Sequence, residues 1–249
     1  MKFAYVILGV LASTGCIILL FGCASIQRKL LYFPSHDHGS NGLSEWRFED
    51  QLIGFAREVP SPKNVWLMLH GNGGQASDRA FALSNFSAND SVFIMEYPGY
   101  GTRFGEPSML SINDAARQAY ASLRARFPNL PICVVGESLG TGPASILATT
   151  PRPPNKLVLI VPFDELAKVA AEHYPFLPVR FLLHDNWDNT AALVNYHGPL
   201  EIYAASDDVV IPIAHAHALA ATKSQAVFQE FSGGHSDWPR NPAVQFHYP

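Results

Sequence analysis

Cysteine is scarce in this chain of 249 residues, which carries only three. Cys16 and Cys23 lie in an apolar N-terminal run, and Cys133 lies in a β-branched run further along. A domain that begins near residue 24 can therefore form no disulfide within itself, and core packing must supply its stability. We expect Cys133 to be a small buried hydrophobe rather than a reactive thiol.

Clusters of positive charge are also missing. The chain has 17 Lys and Arg residues against 21 Asp and Glu residues, and it contains no basic run, which excludes a nucleic-acid-binding surface. It lacks a P-loop and a dinucleotide-binding glycine fingerprint, so we expect no cofactor.

The histidine spacing does not favour a metal site. The rings of His36 and His38, and those of His215 and His217, would point to different faces of a helix, and we predict no metal site.

The order of apolar and amphipathic segments predicts the fold class. Strand-like runs alternate with helical stretches, which favours an α/β fold with a mostly parallel sheet covered on both faces. We predict strands at Val65–Leu69, Val92–Glu96, Ile132–Val135, Leu157–Val161, Leu200–Ala204 and Val227–Phe231, after antiparallel strands within Trp46–Val59. Helices are predicted at Gln75–Phe86, Ser111–Phe127, Leu139–Thr149, Asp164–His173 and Ile213–Ala221. Without repeats or low-complexity tracts, residues 24–249 are expected to form a single domain.

The most informative motif occupies positions 136–140, where the sequence reads Gly-Glu-Ser-Leu-Gly. It follows the predicted strand Ile132–Val135 and precedes a helical stretch. This is the context of a Gly-x-Ser-x-Gly nucleophile elbow, in which the glycines leave room for a sharp turn. Ser138 is therefore the predicted nucleophile.

A serine hydroxyl requires a base to remove its proton and an acid to orient that base. His235 lies in a Gly-rich turn after the predicted strand Val227–Phe231, which suits the base. Three aspartates compete for the acid. Asp207 and Asp208 follow the strand Leu200–Ala204, and only one of two neighbouring extended residues can face His235. Asp164, after an earlier strand, is the third candidate.

An oxyanion hole requires two backbone N–H groups that point at the developing alkoxide. The predicted strand Val65–Leu69 runs directly into the sequence His-Gly-Asn-Gly-Gly at 70–74, whose glycines let the backbone approach a substrate closely. We expect the donors to be the amide of Leu139, after the nucleophile, and that of Asn72 in this loop.

Together these motifs resemble the α/β-hydrolase superfamily, and in particular the Bem46-like and ABHD17-like serine hydrolases. The resemblance runs from about Leu30 to Trp238 and includes the segments 97–101, 161–163 and 233–237. It implies an eight-stranded, mostly parallel sheet with helices on both faces and a small cap. It also implies an acid four residues before a proline, and counting back from Pro212 gives Asp208. Ala205 stands where the family usually has glycine, so Asp207 stays open.

The resemblance implies a serine hydrolase that cleaves carboxylic esters, thioesters or lipid acyl groups through a Ser-His-Asp triad and an acyl-enzyme. A serine peptidase of the same fold is an alternative, although no gating domain accompanies the catalytic unit. A catalytically silent binding protein is another, although the nucleophile, base and elbow glycines are all present. The short segment Pro162–Pro199 predicts a small cap. Its large apolar side chains could line an acyl pocket, but we expect most of them to pack the cap helices down; these are Tyr174, Phe176, Leu177, Phe181, Leu182 and Trp187.

The first 23 residues are interpreted as a targeting segment. An uncharged apolar run from Phe3 to Ala24 follows Lys2 and resembles a bacterial lipoprotein signal that is cut before a lipidated Cys23. The competing hypothesis is an uncleaved anchor, because about 20 apolar residues also span a bilayer. Both hypotheses place the enzyme on a membrane through its N-terminus, in the bacterial cell envelope with the domain on the periplasmic or extracytoplasmic side. Its partners would then be that membrane and a small-molecule or lipid acyl substrate.

Overall fold

A computed structural model describes residues 24–249, apart from the side chain of Phe181. The interpretation of Cys23 as a lipidation site therefore lies outside the described residues. Within them, the apolar runs of the sequence form one eight-stranded sheet. Its strands are β1 (Ser44–Phe48), β2 (Gln51–Arg57), β3 (Val65–Leu69), β4 (Ser91–Met95), β5 (Ile132–Glu137), β6 (Lys156–Ile160), β7 (Leu200–Ala205) and β8 (Val227–Phe231).

The strand order is β8-β7-β6-β5-β3-β4-β2-β1, and the pairs from β8 through β4 are all parallel. Only β1 with β2 and β2 with β4 pair antiparallel. The predicted α/β-hydrolase fold is thereby confirmed. Because parallel strands point the same way, the carboxyl ends of β3, β5, β7 and β8 meet at one edge, where the candidate catalytic residues lie.

Six α-helices connect these strands in the described part of the chain: α1 (Met109–Arg126), α2 (Thr141–Leu147), α3 (Leu166–His173), α4 (Val179–Leu182), α5 (Asn189–Leu193) and α6 (Ile213–Ala221). Residues 24–31 are also helical. The predicted helix Gln75–Phe86 is instead a 3₁₀ helix at Ala76–Asn85, and a 3₁₀ turn at Ser138–Gly140 leads into α2. None of the helices within residues 24–249 is both long enough and apolar enough to cross a bilayer.

The core lies on both faces of the sheet, as the pleat requires. Val65, Leu67 and Leu69 point into the layer covered by α1, α2, α3, α5 and α6, whereas Trp66 and Met68 point into the other layer. All five residues are fully buried. Strands buried on both faces explain why these runs read as continuously apolar.

Cys133 lies on β5 and is buried. Burial raises the pKa of its thiol to about 12, so at neutral pH it carries the proton and is a poor nucleophile. The sequence-based expectation of an inert thiol agrees with this environment.

The cap lies between β6 and β7 and contains α3, α4 and α5. Trp187 packs beneath it, 2% exposed, as expected. The expectation was wrong for Tyr174, Phe176, Leu177 and Leu182, which are all exposed, and Phe181 lies outside the described side chains. Tyr174, Phe176 and Leu177 lie in the connection between α3 and α4, and α4 is a single turn in which Val179 is the buried residue, so few side chains of this segment reach the core.

Candidate active site

Ser138 occupies a strained turn between β5 and α2. Its φ angle of 52° lies in the left-handed region, which is unusual for a residue with a side chain. The flanking glycines make the turn possible. A Cβ atom on Gly136 would lie 2.6 Å from the Gly140 carbonyl oxygen, and one on Gly140 would collide with the Leu69 carbonyl. The Thr141 hydroxyl donates a hydrogen bond to the Ser138 carbonyl at 2.7 Å and thereby stabilises the turn.

His235 stands between Ser138 and Asp208. Its Nε2 atom lies 2.9 Å from Ser138 Oγ, and its Nδ1 atom lies 2.7 Å from Asp208 Oδ2. These distances fit a neutral imidazole that donates from Nδ1 to the carboxylate and accepts the serine proton at Nε2. Three residues from the ends of β5, β7 and β8 thus form one continuous hydrogen-bonded chain.

The Asp208 carboxylate is fixed by its own turn. Its Oδ1 atom accepts hydrogen bonds from the Val210 and Ile211 amides, both at 2.8 Å, which leaves Oδ2 for the imidazole. The Asp208 side chain is 1% exposed and that of His235 is 18% exposed. A buried acid behind a partly exposed base is the arrangement that orients an imidazole toward a substrate.

The two other candidate acids point elsewhere. The Asp207 carboxylate accepts from the Ser206 hydroxyl at 3.1 Å and from the Gly233 amide at 3.4 Å. Asp164 is bonded to His215 at 2.8 Å and to Lys168 at 2.6 Å. Burial alone would raise the pKa of the Asp164 carboxyl, but these hydrogen bonds outweigh it and lower that pKa. The hydrogen bond from His235 to a carboxylate goes to Asp208 and to neither of these two.

The loop after β3 passes beside the serine. A Cβ atom on Gly71 would lie 3.6 Å from Ser138 Cβ, so the loop backbone runs next to the elbow. Asn72 and Leu139, the predicted oxyanion donors, line the same cavity as Ser138. Leu139 is the second residue of its 3₁₀ turn, a position where backbone amides have no acceptor inside a helix. Both residues therefore lie in the cavity of Ser138, and their role as oxyanion donors stays a prediction.

The backbone position of Asn72 is fixed by neighbours on both sides. Its side-chain amide donates to the Leu31 carbonyl at 2.8 Å. Its carbonyl accepts from the Phe33 amide at 2.9 Å and from the Tyr100 hydroxyl at 2.7 Å. A donor held in this way needs little reorganisation when charge develops on a substrate oxygen.

Sequence reasoning missed an ion pair behind the oxyanion loop. Glu137, the residue before the nucleophile, accepts from Arg79 Nε at 2.8 Å and from the Gly71 amide at 3.1 Å. Burial would raise the pKa of the Glu137 carboxyl, but the Arg79 charge and the hydrogen bonds from Arg79 and Gly71 lower it below its ordinary value. One feature of the sequence could have indicated this ion pair: Glu137 is a charged residue at the end of a strand that is otherwise apolar.

A cavity of about 340 Å³ opens above Ser138. Its walls are mostly apolar and come from the cap, the turn after Asp208 and the helical residues 24–31; they include Leu31, Phe163, Leu166, Val169, Tyr174 and Ile211. Such a lining suits an acyl chain better than a charged group. Within residues 24–249, no three His, Cys, Asp or Glu side chains come together in a group that could hold a metal ion.

Comparison with known proteins agrees with this fold. Residues 66–246 match the alpha/beta hydrolase family. The chain belongs to that family. The uncharacterized protein Rv2307c of Mycobacterium tuberculosis is 31% identical to this hydrolase over 237 residues, which cover 86% of this chain and 80% of that protein.

A second sequence relative and a solved structure are also similar to this hydrolase. The lysophosphatidylserine lipase ABHD12 of Macaca fascicularis is 27% identical over 85% of this chain and 66% of that protein. Among solved structures, TT1662 from Thermus thermophilus has a TM-score of 0.62 at 21% identity, covering 80% of this chain and 92% of that one. The likeness to TT1662 shows the shared fold, and the resemblance to ABHD-like hydrolases inferred from the motifs is confirmed by the relatives.

Proposed function

We propose that this hydrolase is a serine esterase that cleaves carboxylic esters, thioesters or lipid acyl groups through an acyl-enzyme. The observation that carries the proposal is the hydrogen-bonded chain from Ser138 through His235 to Asp208, which ends in an apolar cavity. A hydroxyl, an imidazole and a buried carboxylate in this order form the arrangement that activates a serine.

In the proposed reaction, His235 Nε2 takes the proton from Ser138 Oγ as the oxygen attacks the acyl carbon. The carbonyl oxygen becomes an alkoxide that accepts hydrogen bonds from the Asn72 and Leu139 amides. The alkoxide then collapses, and His235 passes its proton to the leaving alcohol or thiol. Water attacks the acyl-enzyme while His235 takes a proton from it, and that proton returns to Ser138 as the acid leaves. Asp208 accepts the Nδ1 hydrogen bond throughout.

The apolar cavity favours ester or lipid substrates over the peptidase alternative. A peptide would bring a polar backbone against side chains such as Leu31, Phe163 and Val169, which offer it no hydrogen bonds. The name of the ABHD12 relatives, lysophosphatidylserine lipase, supports a lipid substrate that carries an acyl group.

We further propose that the N-terminal apolar run attaches the enzyme to a membrane of the cell envelope, either through a lipid on Cys23 or as an uncleaved anchor.

The proposal is tested by labelling the full chain with a fluorophosphonate probe and measuring hydrolysis of p-nitrophenyl esters of increasing chain length. We expect one adduct on Ser138 and turnover that rises with chain length until the cavity is filled. Ser138→Ala deletes one oxygen, so it should lose both signals while its thermal unfolding stays close to that of the wild type. A wild-type protein without an adduct would identify a silent scaffold instead.

A further inference from the structure

Several large apolar side chains are exposed on two segments that each contribute to the cavity lining. These residues come from the helical residues 24–31 and from the cap; we call them the cap face, and they are Ile26, Leu30, Tyr174, Phe176, Leu177 and Leu182. Phe176 is 97% exposed, and Ile26 and Leu30 are 62% and 63% exposed. Soluble proteins rarely expose several large apolar side chains together, and such patches mark contact surfaces.

Hydrogen bonds join the two parts of the cap face. Gln27 Nε2 donates to the Leu182 carbonyl at 2.6 Å, and Gln27 Oε1 accepts from the His184 amide at 3.1 Å. Ile26 and Leu30 are four residues apart and share one side of the helix. The helix therefore packs on the cap through Gln27 and leaves Ile26 and Leu30 exposed beside it.

The cavity above Ser138 opens within this surface. Tyr174 and Val210 both line the cavity while they are 53% and 48% exposed, so they form part of its rim. Leu31, at the end of the same helix as Leu30, also lines the cavity. A molecule that covered the cap face would therefore also cover the entrance to the active site.

The chain itself indicates what covers the cap face. The run from Phe3 to Ala24 contains no charged residue, and it ends where the helical residues 24–31 begin. A segment of this composition enters a lipid bilayer, and either this segment or a lipid on Cys23 would bring the helix and the cap to the bilayer surface. Lys29 precedes Leu30 and Arg180 lies two residues before Leu182; both side chains are exposed and suit anionic headgroups.

We propose that the cap face docks on the surface of a lipid bilayer, so that the cavity draws its substrate directly from the membrane. The inference rests on the proposed esterase function and narrows its substrate class to acyl esters of membrane lipids. Tyr174 and Val210 would stand at the level of the headgroups, and the acyl chain would leave the bilayer between them to reach Ser138. Water-soluble esters would enter the same cavity without using the cap face.

Docking can be measured without catalysis. The four native tryptophans are all buried, so a new tryptophan at an exposed position reports on its own surroundings. We would reconstitute full-length Phe176→Trp into phosphatidylcholine–phosphatidylglycerol vesicles whose acyl chains carry bromine, a short-range quencher. We expect the added fluorescence of the variant to be blue-shifted and quenched by the brominated lipid.

Val227→Trp is the matched control. Val227 is 52% exposed and begins β8, at the edge of the sheet opposite to the active site. Its tryptophan should emit as in water and escape quenching. Equal quenching at both positions, or none at position 176 in vesicle-bound protein, would overturn the proposal. A blue-shifted emission at position 176 without lipid would also overturn it, because another part of the protein or a second copy would then cover the face.

A kinetic comparison separates docking from the chemical step. Phe176 does not line the cavity, so Phe176→Ser should leave turnover of a short p-nitrophenyl ester unchanged. Its hydrolysis of a long-chain ester embedded in vesicles should fall about tenfold, because the contact area with lipid is lost. Val227→Ser should change neither rate. An equal loss on both substrates would contradict docking, whereas a wild-type protein inactive on both would contradict the esterase function itself.

Discussion

Arg79 and Glu137 form an ion pair that joins the oxyanion loop to the nucleophile elbow. Arg79 Nε lies 2.8 Å from Glu137 Oε2, and the two side chains are 12% and 13% exposed. The same arginine donates to the Gly73 carbonyl at 2.8 Å, and the same glutamate accepts from the Gly71 amide. Asn72, a proposed oxyanion donor, therefore lies between two residues that this pair holds.

The pair should act on the transition state more than on substrate binding. Glu137→Gln removes the charge that holds Arg79 and loosens the loop around Asn72. We expect kcat on a soluble ester to fall by about 10- to 100-fold, somewhat less than the loss of an oxyanion donor, while KM stays nearly constant. Steady-state kinetics and the rate of fluorophosphonate labelling measure this.

The chain offers a matched control for this substitution. Glu58 pairs with Arg126 on the surface, where both side chains are well exposed, so Glu58→Gln should change neither kcat nor stability. Arg79→Lys keeps the positive charge but loses the several donors of the planar guanidinium. We expect this variant to retain more activity than Glu137→Gln and less than the wild type. A rise in KM without a fall in kcat in Glu137→Gln would argue against a positioning role.

The same pair predicts a dependence of stability on pH. The pKa of the Glu137 carboxyl is lowered from its ordinary value of 4.5, so its ionised form stabilises the folded state above that pH. This stability is lost as the pH falls through the lower, folded-state pKa. At pH 7 we expect Glu137→Gln to be less stable than the wild type by about 3 kcal/mol, the usual cost of removing one partner of a buried pair. Thermal unfolding at neutral and acidic pH should show this difference shrink on acidification; a constant difference would contradict the assignment.

The acid assignment is tested with three single substitutions. Asp208→Asn removes the carboxylate that orients His235, and kcat should fall about 10⁴-fold. Asp207→Asn keeps an acceptor for Ser206 and Gly233 and should be close to wild type. Asp164→Asn should lower thermal stability through Lys168 and His215 but leave kcat intact. A large loss of turnover in either of the last two variants, with an active Asp208→Asn, would move the role to that residue.

Attachment through Cys23 has its own test. If the apolar run is a lipoprotein signal, the mature protein begins at Cys23 and carries acyl chains, which hold it on the membrane when two or more are present. Intact mass and incorporation of labelled palmitate should show this in the wild type and not in Cys23→Ala. Cys16→Ala is the control and should be processed normally. A wild-type chain that starts at Met1 and incorporates no palmitate, together with a Cys23→Ala variant that stays on the membrane, would identify an uncleaved anchor.

Much of the fold could be predicted because its signals are local. The strands Val65–Leu69 and Val227–Phe231 and the helix Ile213–Ala221 have the predicted bounds, since buried apolar runs and their breakers are read directly from the sequence. Strand β5 extends to Glu137, two residues beyond its predicted end. The elbow turn needs this extension, because the strand must carry the chain up to Ser138 before it reverses.

The parts that could not be predicted depend on contacts between distant residues. Arg79 and Glu137 are 58 residues apart, and only the folded sheet brings them together. Which of the two aspartates faces His235 is decided by the turn after β7. In that turn the amides of Val210 and Ile211 donate to the Asp208 carboxylate and hold it in place. The exposure of Phe176 depends on how the connection between α3 and α4 runs over the surface, which no local pattern in the sequence specifies. The catalytic roles of Ser138, His235, Asp208, Asn72 and Leu139 stay predictions until the variants are measured.

The two-residue strand at Phe33–Pro34 pairs with Gly73–Gly74, and it has a practical meaning for the boundary of the domain. Residues 31–34 look like a linker between the N-terminal run and the sheet, yet Leu31 and Phe33 hold both sides of Asn72. A shortened chain that began after Pro34 would keep every strand of the main sheet and lose the support of its oxyanion loop. Removal of the apolar N-terminal run should therefore stop before Leu31, and a force applied to that run would be transmitted through residues 31–34 to the loop beside Ser138.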